Sequence, residues 1–302
     1  MRKVLKWIGI ILGGLVILVL LLAAGLVIYG QVSFKRAYSN RPLYQITADA
    51  SPAGLARGKY LMENVTSCTG ACHSEGGKPF GGYSEAFSQG PISVQFNVPN
   101  LTPDKETGLG SWSDAEIARA IREGIDKDGR GLVVMPAFHY HALSDADVAA
   151  MIGYLRQVQP VRNQVPSFQA NAVAKIMLAM GMFGPKSVGA PITSAQQSPP
   201  VGTPEYGSYM VTISGCNGCH GESLSGNKGG LGRDPAPNLT PGGELAKWSE
   251  ADFITALRTG NTPSGIQLSE NMPWKEYGQM TDEDLKAIFL YLKSLPATQF
   301  AQ

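Results

Sequence analysis

The sequence predicts an all-α protein in which one membrane-spanning helix precedes two copies of a small domain. An uncharged apolar segment occupies residues 7–29, two long stretches recur in the same order, and strand-length alternation of apolar and polar residues is not evident. The 302 residues allow two domains at about 150 residues each. A hydrophobic content of 43% excludes a disordered chain. We predict an anchor over residues 1–41, a first domain over 42–160, a linker over 161–200 and a second domain over 201–302.

The N-terminal apolar segment has the length of a transmembrane helix. Its 23 residues, at about 1.5 Å each, cross a hydrocarbon core of about 30 Å. Trp7 and Tyr29 stand at its ends, where aromatic rings favour the membrane interface. The alternative is a cleaved signal peptide with small residues at 23–25, but such apolar regions typically span about 7–15 residues. We therefore predict an uncleaved anchor that contacts membrane lipid.

Charge is distributed unevenly along the chain. The first 41 residues carry six cations and no acid, so that 19 of the 25 basic residues and all 24 acids lie in residues 42–302, a net charge of −5. The chain lacks the surplus of basic residues that would indicate nucleic-acid binding. Cations flank the apolar segment at both ends, with Lys35 and Arg36 after it. The distribution of charge therefore does not decide which end of the segment is cytoplasmic. The acidic body favours a soluble redox partner with a basic face.

Two stretches of sequence occur twice. PNLTPDKETGLGSWSDAEIARAIREG and VVMPAFHYHALSDADVAAMIGYLR, in residues 99–156, recur as PNLTPGGELAKWSEADFITALRTG and ENMPWKEYGQMTDEDLKAIFLYLK, in residues 237–293. Matched positions lie 136 to 138 residues apart, which indicates two copies of one domain rather than a solenoid. We call residues 42–160 the first repeat and residues 201–302 the second repeat.

Capping signals place the helices of each repeat. Ser113 and Ser249 each precede an acid by three residues, as in a capping box, and the last helices are predicted to start at Ser144 and Thr281. Within the linker, the Met-rich residues 172–183 predict a short helix packed on the chain's own domains. A docking face for another subunit or for the membrane surface is the alternative.

The four cysteines fall into two clusters, each followed by histidine. Cys216 and Cys219, with His220, form the C-x-x-C-H signature of covalent haem c attachment. Residues three apart lie on one helix face, so both thiols reach one porphyrin and the adjacent histidine becomes the proximal iron ligand. The first cluster pairs Cys68 with Cys72, followed by His73, and has one extra residue. Four residues also leave both thiols on one face, provided that the chain bulges slightly.

Zinc binding and local disulfides are the alternatives for these clusters. A structural zinc site requires a fourth ligand, and the second repeat contains no histidine or cysteine beyond its cluster. Thioredoxin-type disulfides occur in a βαβ context, which the sequence does not show. We therefore predict two covalent haem c groups.

The repeat also indicates the distal iron ligands. Met135 and Met272, each followed by proline, occupy equivalent positions 62 and 52 residues after their histidines. A thioether opposite histidine raises the reduction potential and suits electron transfer. His139 and His141 are alternatives to Met135, although we expect them to be loop or surface residues near the haem edge.

On these motifs the chain resembles the membrane-anchored, multihaem cytochrome c subunits of periplasmic alcohol and gluconate dehydrogenases. The resemblance covers most of residues 50–296 and implies two tandem class I cytochrome c domains. It also implies that Gly58 with Tyr154, and Gly207 with Tyr291, mark the crossing of the first and last helices in each domain. The family usually carries three C-x-x-C-H motifs, whereas this chain has two, one of them in a longer form.

The resemblance implies a function in electron transfer. It places the haem domains on the periplasmic side of the plasma membrane, where they pass single electrons between redox subunits or to a soluble carrier. No side chain is then required for acid–base or nucleophilic chemistry, because the cofactor supplies the chemistry. A dihaem peroxidase is the catalytic alternative, with His139 and His141 as acid–base groups if Met135 dissociates. A dihaem subunit of a terminal oxidase and a purely structural haem-holding subunit are further alternatives.

Overall fold

A computed structural model describes residues 2–34, 38, 40–74, 78–132, 135–180, 188–229 and 235–300. These residues are mostly helical, as predicted. Helix α1 (Arg2–Phe34) is long and apolar enough to cross a membrane by length and composition. Lys35 and Arg36, which bear on its orientation, lie outside the described residues.

The two repeats follow the same order of helices. In the first repeat the elements are α2 (Pro52–Tyr60), π-helical turns over Leu61–Val65 and Cys68–His73, β1 (Tyr83–Gln89), β2 (Ile92–Val98), α3 (Asp114–Glu123), α4 (Ala137–Tyr140) and α5 (Asp145–Gln157). Between the repeats lie β3 (Gln169–Ala170) and α6 (Ala172–Ala179). In the second repeat the elements are α7 (Pro204–Ile213), α8 (Cys216–His220), a 3₁₀ turn over Glu244–Lys247, α9 (Glu250–Thr259), α10 (Trp274–Tyr277) and α11 (Asp282–Ser294).

In each repeat the first and last helices cross at a glycine. A methyl group on Gly58 would overlap the carbonyl oxygen of Ala150 and lie 2.9 Å from Tyr154 Cβ, where α2 packs on α5. A methyl group on Gly207 would meet Ala287 in the same way and lie 2.8 Å from Tyr291 Cβ, where α7 packs on α11. The predicted crossings are confirmed, because only glycine lets the two backbones approach this closely.

The predicted helix starts are also confirmed. Ser113 and Glu116 form a full capping box at α3, and Ser249 and Asp252 form one at α9. The hydroxyl groups of the residues before α5 and α11, Ser144 and Thr281, accept bonds from backbone N–H groups in the first helical turn. These side chains satisfy donors that would otherwise lack partners at the helix N-termini.

The all-α prediction is wrong for one segment. β1 and β2 form an antiparallel hairpin, with Tyr83 opposite Val98 and Gln89 opposite Ile92, and β3 adds to β2. The sequence of β2, ISVQFNV, alternates strictly between apolar and polar residues, a pattern typical of a strand, and the all-α prediction overlooks it. The hairpin lies between His73 and Pro99, where the first repeat is longer than the second.

The repeats pack against each other around a shared core. Buried residues of both repeats belong to one hydrophobic cluster. Helix α4 packs on α7, and α10 packs on the π-helical turn Leu61–Val65. Each repeat therefore places the short helix that follows its Met-Pro pair near the Cys–His motif of the other repeat.

Candidate haem attachment sites

The second Cys–Cys–His motif forms a single turn of α-helix. Gly215 has a left-handed conformation with φ 75°, which starts α8 immediately before Cys216. Cys216 is partly buried, with its Sγ 3.2 Å from Ser214 Oγ, whereas Cys219 is exposed. The three-residue spacing on an α-helix leaves both thiols on one side of this turn.

The first motif accommodates its extra residue in a π-helical turn. Cys68–His73 is π-helical, and such a turn contains about one residue more than an α-turn. Cys68 Sγ lies 3.1 Å from Thr66 Oγ1, which matches the Ser214 contact in the second repeat. Burial raises the pKa of the Cys68 thiol to about 12, and Cys72 is exposed. The predicted bulge is thus a regular change of helix type that keeps the arrangement of the second motif.

Both motif histidines have the same backbone partner. His73 Nδ1 lies 3.0 Å from the carbonyl oxygen of Pro99, and His220 Nδ1 lies 2.8 Å from that of Pro237. Both rings are buried, and burial lowers the pKa of His73 to about 4 and that of His220 in the same direction. A neutral ring that donates from Nδ1 to a carbonyl has its lone pair on Nε2, the tautomer that an iron ligand requires.

The recurring Pro-Asn-Leu-Thr sequence holds this carbonyl in place. In the first repeat, Asn100 Oδ1 accepts bonds from the backbone N–H of Thr102 at 2.9 Å and from its hydroxyl group at 2.7 Å, and Asn100 Nδ2 donates to the Val161 carbonyl at 2.7 Å. In the second repeat, Asn238 makes the same bonds with Thr240 and with the Thr298 carbonyl. The motif is visible in the sequence, whereas its task, to orient the histidine through a backbone atom, is visible only in the structure.

The methionines lie in equivalent loops tied to the cysteine motifs. Met135 and Met272 are half-buried against the core. In the helices that follow, the Tyr140 hydroxyl donates to the Thr66 carbonyl at 3.1 Å, and the Tyr277 hydroxyl donates to the Ser214 carbonyl at 2.5 Å.

The tyrosine bonds reach the same position in each repeat, since both carbonyls belong to the residue two places before the first cysteine of their motif. The role of both tyrosines was not predicted. Their equivalent positions in the repeat were the available signal.

Of the two remaining histidines, His139 differs from the expectation, whereas His141 lies in a turn as expected. His139 is buried rather than at the surface, and its ring lies against the second motif, where a methyl group on Gly218 would be 2.8 Å from Nε2. His141 Nδ1 lies 3.1 Å from the carbonyl oxygen of Arg122. These contacts place His139 between the repeats and tie His141 to the backbone.

The geometry gives no support to the two alternatives for the cysteine clusters, a zinc site and local disulfides. None of the four cysteines forms a disulfide. Among the residues that the structure describes, no three His, Cys, Asp or Glu side chains gather as a metal site requires. The donors fit haem c instead, because each repeat has two thiols on one turn and one buried neutral imidazole whose Nδ1 is already bonded.

A mostly helical fold with two such motifs defines a c-type cytochrome. The chain belongs to the family described as cytochrome c oxidase, cbb3-type, subunit III, whose model matches residues 53–155 and 209–292.

Individual relatives agree with this class. The chain is 30% identical over 275 residues to the alcohol dehydrogenase (quinone) cytochrome c subunit of Gluconobacter oxydans, covering 82% of this chain and 56% of the relative. It is 30% identical over 283 residues to the gluconate 2-dehydrogenase cytochrome c subunit of Pantoea cypripedii, with coverage of 84% and 62%. It is 29% identical over 224 residues to a diheme cytochrome c-type protein of Cereibacter sphaeroides, with coverage of 68% and 73%.

The chain spans only about three fifths of the length of the two dehydrogenase subunits. The resemblance to cytochrome c subunits of alcohol and gluconate dehydrogenases is confirmed, and so is the prediction of two covalent haem c groups.

Proposed function

We propose that the chain is a membrane-anchored carrier of single electrons, with one class I cytochrome c domain in each repeat. When bound, haem c supplies a one-electron couple at each site. The observation that carries the proposal is the matched pair of bonds from His73 to Pro99 and from His220 to Pro237. A buried histidine oriented through Nδ1 in both repeats is an arrangement for holding iron at Nε2.

The chain's own residues have four tasks in this function. Cys68 and Cys72 tether the first haem, and Cys216 and Cys219 tether the second. His73 and His220 would bind iron through Nε2, and the Pro99 and Pro237 carbonyls keep each ring in one tautomer. Met135 and Met272 would supply a second protein ligand to each iron, which would leave no open iron position for a substrate. The sites used are therefore cofactor tethers and ligands: Cys68, Cys72, His73, Met135, Cys216, Cys219, His220 and Met272.

We place the carrier at the plasma membrane, with residues 1–41 as a single-pass anchor and both repeats on the extracytoplasmic side. The length and composition of α1 support the anchor. Confinement to the membrane surface restricts the search for partners to two dimensions.

The relatives' names point to a dehydrogenase complex as the electron donor. Cytochrome c subunits of alcohol, gluconate and fructose dehydrogenases are all similar to this chain. The family description names an oxidase subunit, which supports a terminal oxidase as a second candidate. Purification of the tagged chain from detergent-solubilised membranes distinguishes these candidates. A dehydrogenase subunit copurifies with the chain in the first case, and oxidase subunits copurify with it in the second.

Haem counting tests the site residues directly. Intact mass should show two covalent haems in the wild type, one in the Cys216→Ser/Cys219→Ser variant and one in the Cys68→Ser/Cys72→Ser variant. Pigment that passes into acidified acetone, or a wild-type mass without haem, would overturn the proposal.

Ionic strength adds a test of the acidic body, since the rate of electron transfer to a basic soluble carrier should fall as the salt concentration rises.

A further inference from the structure

Helix α6 lies in the linker between the repeats and packs against the N-terminal helix α1. Within residues 2–32, α1 is exposed except at three positions: Ala23 and Val27 are half-buried, and Gly30 is buried. Positions 23, 27 and 30 lie on one face of a helix. Among the helices and strands of the described residues, α6 is the one with extensive contacts to α1. The contact therefore falls on this small-residue face.

The depth of this contact follows from the apolar segment of α1. The segment ends at Tyr29, so Ala23 lies about 9 Å inside that end at about 1.5 Å per residue. Helices that lie in a membrane interface bury their apolar face about 5–10 Å into the boundary between headgroups and acyl chains. If α1 spans a membrane, α6 contacts α1 at the depth of the boundary between headgroups and acyl chains.

The surface of α6 suits this boundary. Val173 is 36% exposed and Met180, immediately after the helix, is 63% exposed, and seven residues place both on one face. Ile176 and Met177 are half-buried, whereas Ala174 is fully buried. The helix thus has one side covered by the protein and one apolar side without protein cover. Residues 181–183 of the predicted apolar segment lie outside the described residues.

The first repeat holds the start of α6 firmly. Asn171 Oδ1 accepts the Ala174 N–H at 2.9 Å and caps the helix. Asn171 also donates from its backbone N–H to the Ser93 carbonyl at 3.0 Å, and from Nδ2 to the Pro91 carbonyl at 2.9 Å. These bonds, with the pairing of β3 to β2, join α6 to the hairpin. The hairpin is an insertion of the first repeat, so α6 links that repeat to the side of α1.

We propose that α6 is a second membrane contact, lying beside α1 at the outer boundary between headgroups and acyl chains, with Val173 and Met180 against the acyl chains. The proposal rests on the membrane anchoring proposed above. Continuity with the apolar surface of α1 identifies lipid as the occupant, since both helices present apolar faces at one depth. Through the hairpin, this contact sets the first repeat nearest the membrane.

Photolabelling from within the bilayer tests the proposal. The full-length haem-loaded chain is reconstituted in phosphatidylcholine vesicles that contain a lipid with a shallow diazirine on its acyl chain. After irradiation and proteolysis, adducts are expected on peptides from α1 and on the peptide that contains residues 172–180. Peptides with Ile266 and Leu290, which are 64% and 44% exposed in the second repeat, should stay unlabelled. Labelled α1 beside unlabelled 172–180 overturns the inference while the anchor stands, whereas unlabelled α1 overturns the anchor as well.

A pair of variants adds a matched control. Val173→Glu should abolish labelling of residues 172–180 and leave that of α1 unchanged. Val201→Glu, at a site that is 53% exposed and distant from α6 in sequence, should label like the wild type. An unchanged haem spectrum shows that both variants fold. Labelled α1 together with no lipid adduct on residues 172–180 of either Val201→Glu or the wild type would leave a protein subunit as the occupant and overturn the proposal.

Discussion

The hydroxyl group of Tyr209, in the second repeat, donates a 2.5 Å hydrogen bond to Asp147 Oδ2, in the first repeat. The reverse bond joins Tyr60 of the first repeat to Asp284 of the second. Both tyrosines lie on the first long helix of their repeat, and both acids lie in the first turn of the last helix. The repeats are therefore joined by the same contact made in both directions.

Each of these acids also has a partner in its own repeat. Asp147 accepts from Arg57 at 2.8 Å, and Asp284 accepts from Tyr206 at 2.9 Å. Arg57 and Tyr206 stand at equivalent positions, three residues before Tyr60 and Tyr209. The buried carboxylates thus tie the helix crossing within a repeat to the interface between repeats, which fixes how the two haem motifs face each other.

We expect Tyr209→Phe to destabilise the protein by about 1.5–3 kcal/mol, the usual loss for a hydrogen bond to a charged group. The change leaves the ring in the core and removes only the hydroxyl group. The free energy of unfolding in urea is the measurement. Tyr44→Phe is the control, because its hydroxyl also bonds a carboxylate, Asp145, but within the first repeat and near the surface. Equal stability of the two variants would contradict a role for the reciprocal bonds.

The same bonds predict a loss of stability at alkaline pH. Burial, with the partner carboxylates, raises the pKa values of Tyr60 and Tyr209 above their ordinary value of about 10. Below that pH both phenols are neutral in the folded and unfolded chains, and their stabilising contribution is complete. As pH rises further, the unfolded chain releases these protons first, so stability falls toward the higher folded pKa values. The measurement is the free energy of unfolding from about pH 9 to about pH 11, on either side of the ordinary tyrosine pKa. It should decline less steeply with pH in the Tyr60→Phe/Tyr209→Phe variant than in the wild type.

The distal ligands make a prediction about reduction potential. With Met272 as the proposed ligand, Met272→Leu removes the thioether that raises the potential, so the potential of the second haem should fall while that of the first haem is unchanged. Met280→Leu makes the same substitution at a buried core position and should leave both potentials unchanged. Spectroelectrochemical titration measures both haems in one experiment. A Met272→Leu protein that keeps both potentials and its Met–Fe charge-transfer band would refute this ligand.

The proximal side predicts a shift of opposite sign. Asn238→Ala removes the bonds that fix the loop carrying the Pro237 carbonyl. With His220 as the proposed iron ligand, a weaker bond from its Nδ1 makes the imidazole less basic, which destabilises the oxidised iron and raises the potential of the second haem. Asn227→Ala, in the loop between His220 and Pro237, is the control. A lowered potential for Asn238→Ala would show that the carbonyl does not act through the ring.

Local signals explain how much of this molecule was predictable. The capping boxes at Ser113 and Ser249 and the spacing of cysteines to His220 are encoded within a few residues, and the repeat checks each of them twice. The partner of Tyr60 is 224 residues away in the sequence, and no local pattern indicates that pairing. The proximal hydrogen bonds were missed for another reason, since they use backbone atoms of Pro99 and Pro237. The hairpin was predictable from the alternation in β2.

The contact between His139 and Gly218 predicts a mutation whose effect another mutation reverses. A methyl group on Gly218 would lie 2.8 Å from His139 Nε2, and His139 is only 6% exposed, so its ring has no open space to enter. We expect Gly218→Ala to cost about 1–3 kcal/mol by overpacking and to loosen the contact between the repeats. His139→Ala, in the same chain, provides room for the methyl group, so the double variant should be more stable than the sum of the single effects predicts. Urea unfolding of the four proteins in this cycle gives the coupling, and simple additivity would show that His139 does not press on the second haem motif.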